Sequence, residues 1–112
     1  MSPRPLPEVT HLQFLVLGIL RGGGRSGRAL RKTLARHGVR RSGPAFYQMM
    51  ARLEDAAFVD GEYDQKIVDG QIIKERRYTL SAKGEAAWSE TRAFYTDALE
   101  EYGERRPGIA HA

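Results

Sequence analysis

The apolar residues of this chain change their spacing near Phe58, and that change restricts the fold more than any other feature. Before Phe58 they recur at helical spacing in three segments, and after it residues 58–63 and 72–80 read as strands. Asp69-Gly70, between the strands, is a typical two-residue hairpin turn. A long helical pattern follows. The sequence therefore predicts a mostly α fold with a small β-hairpin (α+β), a winged helix-turn-helix in the order α-α-α-β-β-α.

Residues with N-cap chemistry precede each helical pattern, namely Thr10, Ser26, Ser42 and Ser81. Thr10 and Gln13 form a capping box, and Gly38 fits a left-handed helix end. Apolar residues at helical spacing predict the buried face of the third helix, at about 42–57: Phe46, Met49, Met50, Leu53 and Ala57. It is the second helix of the predicted helix-turn-helix and therefore the predicted recognition helix. The wing is predicted at about 63–77.

The predicted organisation has four parts. Residues 1–9 form an extended, proline-rich N-terminal arm, and residues 10–81 form the winged helix-turn-helix domain. Residues 82–103 form a C-terminal dimerisation helix that ends at Gly103, and residues 104–112 form a disordered tail.

The distribution of charge indicates an anionic partner. The net charge is +4, and the chain has no acidic residue between Glu8 and Glu54, a window that contains nine arginines and lysines. A window of one sign this long in a folded domain favours nucleic acid first and a membrane surface second.

Several other functions are excluded at this stage. The chain has no cysteine, and its three histidines are far apart in sequence, so we expect no disulfide, metal site or cofactor. No nucleophile, base and orienting group can be assembled, so we expect no enzyme activity. The start of the chain lacks a signal-peptide core and the longest apolar stretch, residues 14–20, is too short to span a bilayer; the expected location is the cytoplasm, without membrane association.

Three segments resemble the PadR-like transcriptional regulators. They are Leu15-Val16-Leu17-Gly18-Ile19-Leu20, Ser42-Gly43-Pro44-Ala45-Phe46-Tyr47 continuing to Leu53-Glu54, and Arg76-Arg77-Tyr78-Thr79-Leu80-Ser81-Ala82-Lys83-Gly84. The resemblance implies a bacterial or archaeal repressor-type regulator that dimerises through its last helix, in the compact branch with a single short C-terminal helix. Gly27-Arg28-Ala29 departs from the Gly-Tyr-Glu usual in the family.

Double-stranded DNA is the predicted partner. On the outward face of the third helix, the residues expected to contact bases are Pro44, Ala45, Gln48 and Arg52. Those expected to contact phosphates are Arg28, Arg40, Arg41, Ser42, Tyr47, Lys74, Arg76 and Arg77, the role of Tyr47 being implied by the resemblance. Each has an ordinary alternative, such as a solvated side chain, a cap at Ser42, or an aliphatic stem along the core edge at Arg76.

A second copy of the chain is the other predicted partner, because the first helix is too apolar to have one face in water and the last helix carries an aromatic stripe. The predicted dimer interface comprises Leu12, Leu15, Val16, Trp88, Thr91, Phe94, Tyr95, Ala98, Leu99 and Tyr102. A ligand pocket lined by Trp88 and Phe94 is the alternative for this stripe, and a small-molecule effector is left open. The alternatives for the whole protein are a winged-helix module that binds protein without sequence-specific DNA binding, and an RNA-binding domain.

Overall fold

The computed structural model describes residues 6–103, so residues 1–5 of the predicted arm and the predicted tail at 104–112 lie outside the described residues. The helices are α1 (His11–Leu20), α2 (Gly27–Arg36), α3 (Gly43–Asp55) and α4 (Ala82–Tyr102). The strands are β1 (Arg25–Ser26), β2 (Val59–Val68) and β3 (Gln71–Leu80). The winged helix-turn-helix order is confirmed, with the short strand β1 added between α1 and α2.

All four predicted N-caps are present. The side-chain oxygens of Thr10, Ser26, Ser42 and Ser81 accept backbone N–H groups three residues further on, at 2.9–3.2 Å. Gln13 closes the capping box by accepting the Thr10 N–H at 3.0 Å. Each cap satisfies a donor that the first turn of a helix leaves unpaired, so the helix starts are fixed by local sequence.

The hairpin of β2 and β3 is longer than predicted. Its ten pairs run from Val59 opposite Leu80 to Val68 opposite Gln71. Asp69 and Gly70 form the turn with φ of 51° and 78°, the left-handed conformation that a type I′ turn requires at both positions. Strand β1 pairs with the other edge of β3, giving a three-stranded antiparallel sheet in the order β1-β3-β2.

The core lies where α1, α2 and α3 meet the base of the sheet. It is formed by apolar side chains, chiefly Val16, Leu17, Leu20, Leu30, Leu34, Phe46, Met50, Leu53, Val59 and Tyr78. The prediction that Ala57 belongs to it is wrong. Helix α3 ends at Asp55, and Ala57 is an exposed turn residue with φ of 63°, because the chain reverses there to enter β2.

Helix α4 packs on α1 through its first half. The Trp88 ring stacks on Phe14 with centroids 5.8 Å apart, and the Arg21 guanidinium lies 3.7 Å above the Trp88 ring. Arg21 also donates to both Glu85 carboxylate oxygens, at 2.9 and 3.1 Å. Gly18 leaves room for this approach, since a Cβ there would lie 3.0 Å from the indole nitrogen. Across residues 6–103, no helix is long and apolar enough to cross a membrane.

Candidate nucleic-acid interface

Helix α3 separates its core contacts from a solvent-facing stripe. Phe46, Met50 and Leu53 are buried, whereas the side chains at positions 44, 48 and 52 are exposed and four residues apart, hence on one side of the helix. Of the predicted base-contacting residues, Pro44, Gln48 and Arg52 therefore share an accessible face, and Ala45 is half-buried beside it.

The segment before α3 presents exposed cations. Arg40 and Arg41 are exposed in the link between α2 and α3, where the Arg31 guanidinium donates to the Arg41 carbonyl at 3.2 Å. Ser42 acts as the N-cap of α3 and its side chain accepts from Ala45.

Tyr47 lies between α3 and the start of α2. Its ring meets Phe46 edge to face at 4.9 Å, and it is 40% exposed. A Cβ at Gly27 would lie 2.7 Å from the Tyr47 hydroxyl, so this close approach requires glycine at the first position of α2. The hydroxyl is thereby held beside the first turn of α2, which carries the exposed Arg28.

An open cleft of ≈790 Å³ lies between α2, α3 and the hairpin; we call it the hairpin cleft. It brings together four of the predicted phosphate-contacting residues, Arg28, Tyr47, Lys74 and Arg76. The same cleft is lined by residues that were not among the predicted site residues, namely Arg31, Glu54, Tyr63, Glu75 and Tyr78.

Arg76 is held by an internal partner. Its guanidinium donates to the Glu54 carboxylate of α3 and lies 4.7 Å from the Tyr63 ring centroid. The hydrogen bond to Glu54 raises the pKa of Arg76, because the carboxylate stabilises the charged form. Gly61 makes room, since a Cβ there would collide with the Glu54 carboxylate. The pair connects α3 to the hairpin. The sequence signal for it is the position of Glu54, the first acidic residue after the basic window.

Arg77 and Lys74 lie on opposite faces of β3. Lys74 shares the cleft face with Arg76, whereas the Arg77 guanidinium donates to the Gly24 carbonyl at 3.0 Å, near β1. The predicted phosphate-contacting residues of the wing are therefore split between two faces of the sheet.

The predicted dimer residues fall into two groups. Leu12, Val16 and Thr91 are buried within the single chain, and Thr91 donates to the Ala87 carbonyl at 2.7 Å. Leu15 and Trp88 are half-buried on the core. The second half of α4 is open: Phe94 and Ala98 are half-buried, and the exposed fractions of the aromatic and leucine side chains are 41% at Tyr95, 66% at Leu99 and 79% at Tyr102.

Trp88 and Phe94 do not line one ligand pocket. Phe94 borders a hollow of ≈580 Å³ with Phe58 and Thr91, whereas Trp88 borders a separate one with Ser89. Six residues on a helix turn these side chains about 120° apart, which explains the separation. Within residues 6–103, no cluster of three histidine or carboxylate side chains is arranged to hold a metal ion.

No protein-family profile and no curated protein matches the chain. Solved structures do match. A PadR family transcriptional regulator from Eggerthella lenta is 25% identical, with 80% of this chain and 78% of that chain covered and a TM-score of 0.64. A PadR-like transcription factor from Bacteroides fragilis is 17% identical, with 82% and 86% covered and a TM-score of 0.71. The fold is PadR-like.

A third PadR-like structure is Bacillus subtilis PadR in complex with operator DNA, which is 19% identical with a TM-score of 0.57. The match covers 92% of this chain and 53% of that PadR, so this chain spans about half its length. The fold predicted from the sequence is thus found in solved proteins of low sequence identity.

Proposed function

We propose that this protein binds double-stranded DNA as a homodimeric transcriptional regulator, a repressor, with α3 in the major groove. The observation that carries the proposal is the exposed stripe of Pro44, Gln48 and Arg52 on α3, which faces away from the core and follows an exposed basic link. The N-terminal part of such a helix is the part that meets base edges. The operator complex of Bacillus subtilis PadR, which has the same fold, supports the assignment.

Within this proposal, few residues contact bases and determine sequence preference, and a larger number contact phosphates and contribute affinity. Gln48 has the paired donor and acceptor that match adenine, and Arg52 matches guanine. Arg28, Arg40, Arg41 and Lys74 are exposed cations available to phosphates. Tyr47 adds a hydroxyl at the mouth of the hairpin cleft. We assign Arg76 to holding the hairpin against α3, because Glu54 already neutralises it.

The second half of α4 is the surface proposed for the second copy. Tyr95, Leu99 and Tyr102 are exposed there on a helix whose first half is already packed on α1. Burying such side chains in a two-fold contact removes apolar surface from water. A two-fold dimer would present two α3 helices to DNA, as the dimers of this fold class do on half-sites one helical turn apart.

The test is a titration of fluorescent duplex DNA, selected from a random pool by the protein itself, against a scrambled duplex at several salt concentrations. If each protomer neutralises about four phosphates, the slope of log affinity against log salt is on the order of −7 for the dimer. A slope near zero would exclude DNA binding and leave the protein-interaction module.

Two variants distinguish a residue that contacts bases from a residue that contacts phosphates. Gln48→Ala should cost about 1–3 kcal/mol on the selected duplex and relax preference at one base position. Arg40→Ala should weaken both duplexes equally and flatten the salt slope by about one unit. Equal losses on both duplexes for Gln48→Ala would show that α3 does not read sequence at that residue.

A further inference from the structure

The hairpin cleft keeps positive charge after its internal ion pairs are formed. Of its acidic residues, Glu54 is paired with Arg76. Glu75 is paired with Lys66, whose ammonium lies 3.1 Å from the carboxylate. Among the residues that the structure describes, no carboxylate is paired with the other cations that line the cleft, which are Arg28, Arg31 and Lys74. The cleft therefore suits an anionic ligand.

The Tyr63 ring gives the cleft a surface on which another ring can stack. The Arg76 guanidinium lies 4.7 Å from the ring centroid, yet Tyr63 is 68% exposed. A guanidinium covers only one side of a ring, which leaves the other side to solvent. Nucleobases stack on exposed aromatic side chains, and such stacks tolerate any base. Tyr63 thus adds a preference for an aromatic ligand to a cationic site.

The ring and the cations converge on one space. Tyr63 pairs with Arg76 in the hairpin, and Lys74 belongs to the next outward pair on the same face. Tyr63 and Lys74 are therefore diagonal neighbours, close enough for long side chains to contact one ligand. Arg28, in the first turn of α2, lines the same cleft from the helical side, where the Tyr47 hydroxyl also lies.

The size of the cleft fits a small molecule. Its volume of ≈790 Å³ lies within the range of about 300–1,000 Å³ typical of ligand sites. A DNA duplex can bring phosphates to the exposed Arg28 and Lys74, but its bases are paired and stacked inside the helix and cannot lie on Tyr63. A ligand with both an unpaired base and a phosphate makes use of both features of the cleft.

We propose that the hairpin cleft binds a free mononucleotide, with the base stacked on Tyr63 and the phosphate bound by Lys74 and Arg28. One consequence rests on the proposed function and extends it to regulation. Arg28 and Lys74 are assigned there to DNA phosphates, so a nucleotide and a duplex compete for the same two cations. Bound nucleotide then lowers the affinity of the protein for DNA.

Calorimetric titration of the full chain tests the site without any DNA. Adenosine 5′-monophosphate is the probe, and adenosine and inorganic phosphate each carry one half of its chemistry. We expect the monophosphate to bind at least about tenfold more tightly than either half, because only the monophosphate can stack and pair with cations at once. Inorganic phosphate that binds as tightly as the monophosphate would reduce the cleft to a general anion site and refute the inference.

Variants of Tyr63 separate the stack from the charge. Tyr63→Leu should weaken binding of the monophosphate about five- to tenfold, the loss of a single base–aromatic stack, and Tyr63→Phe should retain the wild-type affinity because it keeps the ring. Equal affinity in the wild type and Tyr63→Leu would refute the stack. Thermal melting of both variants checks that the hairpin is still folded, since Tyr63 also contacts Arg76.

A matched pair of arginines on α2 tests the phosphate contact. Arg28→Gln removes a cation that lines the cleft and should weaken binding of the monophosphate. Arg36→Gln removes an exposed cation of the same helix that does not line it and should leave that binding unchanged. Equal losses in the two variants would show that the net charge of the protein, and not the cleft, attracts the nucleotide.

Competition links the site to DNA. At fixed ionic strength, the monophosphate at a concentration equal to its own Kd should raise the apparent Kd of a labelled duplex about twofold. A duplex that binds normally to a protein with no affinity for the monophosphate refutes the inference and leaves the proposed function standing. Nucleotide binding by a protein that binds no duplex refutes the proposed function and leaves the nucleotide site.

Discussion

Helices α2 and α3 end in the same backbone motif with different residues, and this makes a matched pair of stability predictions. In α2 the Val39 N–H donates to the Leu34 carbonyl at 2.9 Å, and Gly38 has φ of 80°. In α3 the Phe58 N–H donates to the Leu53 carbonyl at 2.9 Å, and Ala57 has φ of 63°. Both are Schellman-type ends, and the left-handed position normally takes glycine.

Ala57→Gly should raise the free energy of unfolding. The left-handed conformation costs an L-residue about 1–2 kcal/mol, whereas glycine's extra freedom in the unfolded chain costs about 0.4–1 kcal/mol. The net gain is about 0.5–1 kcal/mol, or roughly 2–8 °C in Tm for a domain of this size. The Ala57 side chain is exposed, and its carbonyl accepts from the Ser81 hydroxyl at 2.6 Å in either variant, so no packing is lost.

Gly38→Ala should lower stability by a similar amount, because a Cβ there would meet open space and strain alone sets the cost. Thermal and urea unfolding at one fixed protein concentration measure both changes, so that association contributes equally. If Ala57→Gly lowers Tm, left-handed strain does not govern this helix end and the reasoning is wrong.

Three further predictions concern the hairpin, the core and α4. Glu54→Gln should cost about 1–2 kcal/mol in urea unfolding, between exposed and buried ion pairs, because Arg76 loses its charged partner. Burial raises the pKa of Tyr78 from its ordinary value to about 12. Between about pH 10 and 12 this phenol ionises in the unfolded chain before it does so in the folded protein, so the free energy of unfolding of the wild type should fall by about 2–3 kcal/mol. Tyr78→Phe should remove that part of the fall in alkaline unfolding. Leu99→Arg should weaken the proposed dimer at least about tenfold by sedimentation, through loss of apolar burial, whereas Glu100→Arg should leave its association unchanged.

Structural features that depend only on residues close together in the chain were predictable from the sequence. The N-caps, the capping box and the Asp69-Gly70 turn each depend on groups within about four residues, so the sequence contains the whole interaction. The core of α3 followed from helical spacing up to Leu53. The spacing of apolar residues could not show that α3 ends at Asp55. The left-handed position after a helix usually takes glycine, and here it is occupied by Ala57, which gives no signal of a helix end.

The sequence analysis missed contacts between segments that are far apart in the sequence. Strand β1 has only two residues and exists because β3 passes beside it, a pairing more than fifty residues apart in sequence. The outer half of β2 was not predicted because it contains the polar residues Asp64-Gln65-Lys66. Both faces of the strand are in solvent there, so the sequence need not alternate between apolar and polar residues. The Glu54–Arg76 pair joins α3 to β3 across 22 positions of the sequence, and the sequence analysis did not predict this contact.

That ion pair has a kinetic consequence. With Glu54 and Arg76 bound to each other and Tyr63 stacked on the guanidinium, the angle between α3 and the hairpin is set when the chain folds. Under the proposed function, a DNA duplex would meet α3 and the hairpin already joined to each other, so ordering these two elements would cost little conformational entropy on contact. Association should accordingly proceed in a single phase whose rate is governed by diffusion and ionic strength, with no slower rearrangement following the encounter.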